Sequence, residues 1–146
     1  MKYIILIPIY NDRESLKLLI DNINNEVKDL NLEISIVIIN DASSEQIIDN
    51  YQNIENIKSI ELINMKENRG HTRCIASGLK YIYEKKEFDY VIPMDGDGED
   101  RPEEIKDFIK ISRQSGNKSI VGERVKRSES VFFKICYQFH KFLTLA

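Results

Sequence analysis

Histidine, cysteine and proline are scarce in this chain of 146 residues, which holds two, two and three of them. Cys74 and Cys136 are too few and too scattered for a zinc site or a disulfide framework, so reduced thiols are the default. His71 and His140 also lie far apart in sequence, which argues against a histidine metal centre. Positive charge is not in excess: the formal net charge is -3, leaving no basic face for nucleic acid. No apolar run approaches the roughly 20 residues of a membrane span. The opening run, Tyr3 to Ile9, is too short for the apolar core and cleavage site of a signal peptide. Three fingerprints are missing as well. Without G-x-G-x-x-G, G-x-x-x-x-G-K-[ST] or G-x-S-x-G, neither a dinucleotide fold, a P-loop nor an α/β-hydrolase is indicated.

What the chain does contain is a regular alternation. Tyr3 to Ile9 is rich in β-branched residues and predicts a strand buried on both faces of a parallel sheet, with Pro8 near its end where a missing donor does least harm. Asn11 followed by Glu14 fits a capping box, and Leu16, Leu19, Ile20, Ile23, Val27 and Leu30 then recur at helical spacing. Ile34 to Ile39 predicts a second strand and Ile60 to Ile63 a third, with a short helix over Glu45 to Tyr51 between them. A helix with Ile75, Leu79, Ile82 and Tyr83 on its buried side follows Asn68-Arg69-Gly70-His71. Tyr90 to Met94 is the fourth predicted strand, a helix with Ile105, Phe108 and Ile109 comes next, and Ser119 to Val121 predicts a fifth strand. Such alternation implies one α/β domain with a mostly parallel sheet. In these sheets ligands bind beyond the carboxyl ends of the strands. Four polar clusters are therefore expected on one rim: Tyr10-Asn11-Asp12, Asn40-Asp41, Asn68-Arg69-Gly70 and Asp95-Gly96-Asp97.

The last cluster carries the most chemistry. Four acids, Asp95, Asp97, Glu99 and Asp100, fall within six residues directly after an apolar strand. Carboxylates are the ligands that hard cations such as Mg2+ or Mn2+ prefer, and Mg2+ is commonly held by one or two of them plus substrate phosphates. Gly96 and Gly98 let the backbone turn sharply and let a large ligand come close. An EF-hand fails on spacing: counted from Asp95, position 6 is Asp100 where glycine is required, and position 12 is Lys106. Pro102, Glu103 and Glu104 suit the opening of a helix. Asp12 and Asp41 can accept hydrogen bonds from a base or from ribose hydroxyls.

Taken in order, these motifs resemble the family 2 glycosyltransferases. Ile7-Pro8-Ile9-Tyr10-Asn11-Asp12 matches the family's P-x-Y-N-E, and Ile39-Asn40-Asp41-Ala42-Ser43 its V-D-D-G-S. Asn68-Arg69-Gly70 with Gly78 fits N-x-G and a later glycine, and Asp95-Gly96-Asp97 with Pro102-Glu103 fits D-x-D followed by P-E. Within the family the chain looks most like the polyprenyl-phosphate glycosyltransferases, the group of dolichyl-phosphate mannose synthase. Gly122-Glu123-Arg124 resembles that group's G-x-R, and Arg127, Ser130 and Lys134 follow. Asn40, Ala42, Gly98-Glu99 and Arg101 depart from the common pattern.

The resemblance implies a GT-A fold, a Rossmann-like sandwich, over residues 1–125. It also implies inverting transfer of a sugar from a UDP- or GDP-sugar to an acceptor, with polyprenyl phosphate favoured over a saccharide hydroxyl. A non-catalytic nucleotide-binding module remains an alternative. Pro8, Tyr10, Asp12, Asn40, Asp41, Asn68, Asp95, Gly96 and Asp97 would hold the nucleotide-sugar. Asp95, Asp97 and Glu99 would serve Mg2+ or Mn2+, and Arg124, Arg127, Ser130 and Lys134 would meet the acceptor or phosphates. Asp97 and Arg124 would be the catalytic pair. By the same resemblance the protein would be cytoplasmic, peripheral at the inner face of the membrane, and engaged in cell-envelope glycan synthesis.

Residues 126–146 are expected to form a basic loop and an apolar helix, the start of an acceptor or membrane region. Lys134, Gln138 and Lys141 make one narrow polar stripe, and apolar side chains cover most of the remainder. About 15 residues give a helix near 22 Å long, short of a span but apolar enough to bury itself in a membrane surface or a partner protein. His71 is expected at a helix start as a surface or capping residue, and Cys74 as a packing residue.

Overall fold

The computed structural model describes residues 1–47, 51, 54–116 and 118–122. Four strands, β1 (Lys2–Ile9), β2 (Glu33–Asn40), β3 (Ser59–Asn64) and β4 (Tyr90–Pro93), form one sheet in the order β3-β2-β1-β4. Every pairing is parallel, with Tyr3 opposite both Ile34 and Tyr90, and Asn40 opposite Asn64. The long β-branched runs of β1 and β2 are buried on both faces, as a parallel sheet covered by helices requires.

The pleat of β1 divides the core. Tyr3, Ile5, Ile7 and Ile9 join Leu16, Leu19, Ile20, Ile23 and Val27 of α1 (Arg13–Val27) and Ile105 and Ile109 of α3 (Ile105–Ser115). Ile4 and Leu6 point the other way, to Cys74 and Ile82 of α2 (His71–Lys85). Alternation along one strand thus sets two helices on one face and one on the other. Burial also pushes the Cys74 thiol up to about 11, so Cys74 is an inert packing residue, as expected.

Three local devices fix the helices. The rings of Tyr3 and Tyr90 stack 5.6 Å apart across neighbouring strands, and the Tyr3 hydroxyl meets Ser112 Oγ of α3 at 2.8 Å. Lys106 of α3 pairs with Glu26 of α1 at 2.8 Å. Past the end of α2, Lys86 pairs with Glu61 of β3, which also accepts from the Tyr81 hydroxyl.

Gly78 brings α2 against the sheet. A Cβ there would lie 2.5 Å from Leu6 Cδ1 and 2.8 Å from Ile39 Cγ1. Gly78→Ala is expected to overpack this contact and cost about 1–3 kcal/mol in a denaturant melt. An unchanged midpoint would show that α2 can lift away without cost.

Several local expectations need correction. Asp12, not Asn11, caps α1, its Oδ1 accepting from Ser15 N at 3.2 Å. Asn11 is committed elsewhere: its backbone is left-handed (φ 50) and its side chain reaches across to the loop after β2. The buried stripe of α2 is Cys74, Gly78 and Ile82, because the close approach at Gly78 rotates the helix and leaves Leu79 and Tyr83 41% and 80% exposed. No helix starts over Glu45–Ile47; the rest of that predicted helix lies largely outside the described residues. Residues 119–121 form no strand, since Val121 is 89% exposed and so short a run has no buried face to drive pairing. Pro8, as expected, lies near the end of β1, one residue before Ile9. On the β4 side pairing has already ended at Leu6 opposite Pro93, so the missing donor is harmless there. Residues 123–146 lie outside the described set, and with them fall Arg124, Arg127, Ser130, Lys134 and the predicted apolar helix.

Candidate active site

After β3 the chain crosses through α2 to the far side of β1, so the strand order reverses between β1 and β4. A crevice opens outside the carboxyl ends of strands at such a point, and phosphorylated ligands bind there. The four polar clusters predicted for this rim do meet, through direct contacts.

The turn after β1 is stitched to the loop after β2. Asn11 N donates to Ser43 Oγ at 2.9 Å, and Asn11 Oδ1 accepts from Ser44 N at 2.7 Å. Arg13 N donates to Glu45 Oε1 at 3.0 Å. Asn11 suits its left-handed backbone, which a short polar side chain tolerates. Between these residues Tyr10 stands 52% exposed at the crevice edge, and Asp12 is half-buried at the start of α1.

The end of β2 is clasped to the start of α2. Asp41 is 3% exposed, and its two oxygens accept from Arg69 N and Gly70 N, each at 2.8 Å. Two charge-assisted bonds to consecutive amides are a strong local constraint, and each oxygen retains a second lone pair. Beside it Asn40 donates to Asn64 Oδ1 at 2.8 Å and accepts from Ser43 N at 2.9 Å. Asn68 is exposed, its Oδ1 accepting from Gly70 N at 3.2 Å. The loop passes through Ala42 at φ 57, where the family pattern carries glycine. A non-glycine residue there costs about 1–2 kcal/mol. Allowing for the greater chain entropy of unfolded glycine, Ala42→Gly is expected to raise stability by about 0.5–1 kcal/mol in thermal melts.

The end of β4 presses against β1. Gly96 is buried, and a Cβ on it would lie 2.9 Å from the Pro8 carbonyl oxygen and 3.0 Å from Ile9 Cδ1. Only glycine allows the Asp95-Gly96-Asp97 turn to sit this low in the crevice. Pro8 therefore shapes the floor through its backbone. Asp100 closes the turn, its Oδ2 accepting from Asp95 N at 2.8 Å, while Asp97 Oδ1 accepts from Glu99 N at 2.9 Å. Burial pushes the Asp95 carboxyl above the usual carboxylate range, and the charges of Asp100, Asp97 and Glu99 add to this, against the opposing influence of His71. His71, the first residue of α2, places Nε2 3.3 Å from Asp95 Oδ1.

Two residues in contact with the D-x-D turn were not among the predicted site residues. Asp100 was visible only as one of four neighbouring acids. His71 was assigned to the surface, and it is half-exposed, but it faces the D-x-D turn. The signal was topological: a helix that follows a parallel strand begins at the rim, so its first residue lies near the ends of the neighbouring strands.

The donor set can be tested against the Mg2+ or Mn2+ that the resemblance implies. Among the described residues no three His, Cys, Asp or Glu side chains converge into a complete cage. Asp95 and Asp97 do offer hard oxygen donors at the crevice, and the raised Asp95 carboxyl marks a site where added positive charge is favourable. These residues fit a cation that arrives with a diphosphate and takes most of its ligands from it.

A parallel sheet covered by helices on both faces, with an acidic turn at its switch point, is the arrangement of an α/β domain of the GT-A type. The chain belongs to glycosyl transferase family 2, whose model matches residues 4–142. It is 31% identical to the undecaprenyl-phosphate 4-deoxy-4-formamido-L-arabinose transferase of Photorhabdus laumondii, over 91% of this chain and 40% of that protein. With the dolichol-phosphate mannosyltransferase of Pyrococcus furiosus it shares 28% identity, over 86% of this chain and 34% of the relative. Among solved structures, S. aureus TarS 1-349 superposes with a TM-score of 0.62 at 22% identity, covering 88% of this chain and 39% of TarS; the same protein has been solved in complex with UDP-GlcNAc. The chain thus spans about two fifths of the length of the relatives first matched. The GT-A fold and the likeness to polyprenyl-phosphate transferases agree with the sequence-based expectation. No helix among the described residues is long and apolar enough to cross a membrane.

Proposed function

We propose that this chain is the donor-binding region of a glycosyltransferase that moves a sugar from a UDP- or GDP-sugar to a polyprenyl phosphate, with inversion at the anomeric carbon. The observation that carries this reading is the Asp95-Gly96-Asp97 turn seated against Pro8 at the switch point of a family 2 chain. Undecaprenyl phosphate and dolichol phosphate are named in its relatives, which supports the lipid acceptor.

In this reading Tyr10 and Asp12 border the nucleoside at the end of β1. Asn40, Asp41 and Asn68 shape its other wall, and Asp41 holds the first turn of α2 in place. Asp95, Asp97 and Glu99 face the diphosphate and its Mg2+ or Mn2+. That cation supplies electrostatic stabilisation of the departing diphosphate. Arg124, Arg127, Ser130 and Lys134 are assigned to the acceptor phosphate, a role suited to the guanidinium fork of the two arginines. A lipid phosphate is already anionic at pH 7, so its attack on the anomeric carbon calls for no general base; a sugar hydroxyl would need one. Residues 126–146 are assigned to the membrane surface, placing the protein at the cytoplasmic face.

Transfer is tested by incubating the chain with Mn2+, a panel of labelled UDP- and GDP-sugars, and vesicles carrying undecaprenyl phosphate. Label is expected in the lipid fraction and is expected to be lost with Arg124→Ala. Label on a water-soluble saccharide would move the acceptor to a hydroxyl group. Donor binding without transfer to any acceptor would reduce this chain to a binding module.

A further inference from the structure

We propose that His71 is a protein ligand, beside Asp95, of the cation that accompanies the donor diphosphate. This rests on the donor-binding reading above and adds a nitrogen donor to a site otherwise made of carboxylates.

Geometry is the first support. His71 Nε2 and Asp95 Oδ1 are 3.3 Å apart, longer than the 2.7–2.9 Å of a charge-assisted hydrogen bond. Two ligands side by side on one cation, each about 2.1 Å away, lie about 3.0 Å apart at a right angle and about 3.4 Å apart at the tetrahedral angle. The observed separation falls within that range, so one ion can touch both atoms with little movement.

Rigidity is the second support. A ligand must be held, and His71 directly follows the two amides that buried Asp41 clasps. Asp95 is fixed from the other side by Asp100 on its backbone N–H and by the seat of Gly96 on Pro8. The two donors come from different elements, the start of α2 and the end of β4, and both remain half-exposed toward the crevice. Asp97, by contrast, directs Oδ1 to Glu99 N within its own turn. An imidazole in the set favours a first-row transition ion over Mg2+, because nitrogen donors suit such ions better than they suit Mg2+.

The test is pulsed EPR on the full chain with Mn2+ and UDP, and separately GDP, after 15N-labelling of the histidine rings. Expected are 31P coupling from the nucleotide and 15N coupling from one histidine. The 15N signal should vanish in His71→Gln and persist in His140→Gln. Calorimetry should show Mn2+ affinity falling at least about ten-fold in His71→Gln, with a smaller loss for Mg2+. Circular dichroism checks that this exposed position leaves the fold intact. Coupling to 31P without 15N, or 15N coupling that survives His71→Gln, would overturn the assignment and leave the donor-binding reading standing. Absence of both couplings would overturn the two together.

Discussion

Asp95→Asn is expected to lower metal-dependent nucleoside diphosphate binding by about 100-fold or more while leaving the fold as stable as before, or slightly more so. The first part follows from the proposed donor site, in which Asp95 is a carboxylate ligand where diphosphate and cation meet. The second follows from linkage. Burial and the acids Asp97, Glu99 and Asp100 raise the Asp95 carboxyl in the folded state. A raised carboxyl contributes stability that is fully present below its unfolded pKa and is lost as pH rises through its folded pKa. At pH 7 the ionised group therefore works against folding, and a neutral amide removes that effect. Asp95 is half-exposed, so solvent screening keeps the gain below about 1 kcal/mol. Thermal melts of both proteins from pH 4 to 8 provide the check. The variant should lose the part of the pH dependence that belongs to Asp95. A marked drop in melting temperature would mean that Asp95 is a structural residue.

Asp41→Asn is expected to act in the opposite way, on stability first. The carboxylate accepts from two consecutive amides, while an asparagine offers one acceptor and turns its own NH2 toward the other amide. With Asp41 buried, the lost bond and the unsatisfied donors should cost about 2–3 kcal/mol. Nucleotide binding should weaken as well, because the first turn of α2 is released from the end of β2. Denaturant melts and calorimetry on the same samples separate the effects. Full stability in Asp41→Asn would show that the clasp is held by other contacts.

The strands, the buried stripe of α1 and the meeting of four clusters on one rim were legible in the sequence, because each rests on a repeating apolar pattern and on a general rule of parallel sheets. What was missed depends on contacts between distant segments. Asn11 reads as a helix cap until it is seen reaching Ser44, 33 residues away. Ile75, Leu79, Ile82 and Tyr83 keep perfect helical spacing, yet Gly78 turns the helix so that a glycine occupies the centre of the buried stripe. Gly96 reads as a flexible turn residue, whereas its contact with the Pro8 carbonyl oxygen gives a steric reason for it. His71 has no distinctive local signature; only the strand order brings it beside Asp95.

The most direct test of the central claim is calorimetric titration of the chain with UDP and with GDP, each with and without Mn2+, beside the variant carrying Asp95→Ala and Asp97→Ala together. Binding of one nucleotide that requires Mn2+ and disappears in the double variant is the predicted result, and it would identify the base. Failure of both nucleotides to bind under every condition, or binding that ignores both Mn2+ and the double substitution, would contradict a donor site at the switch point.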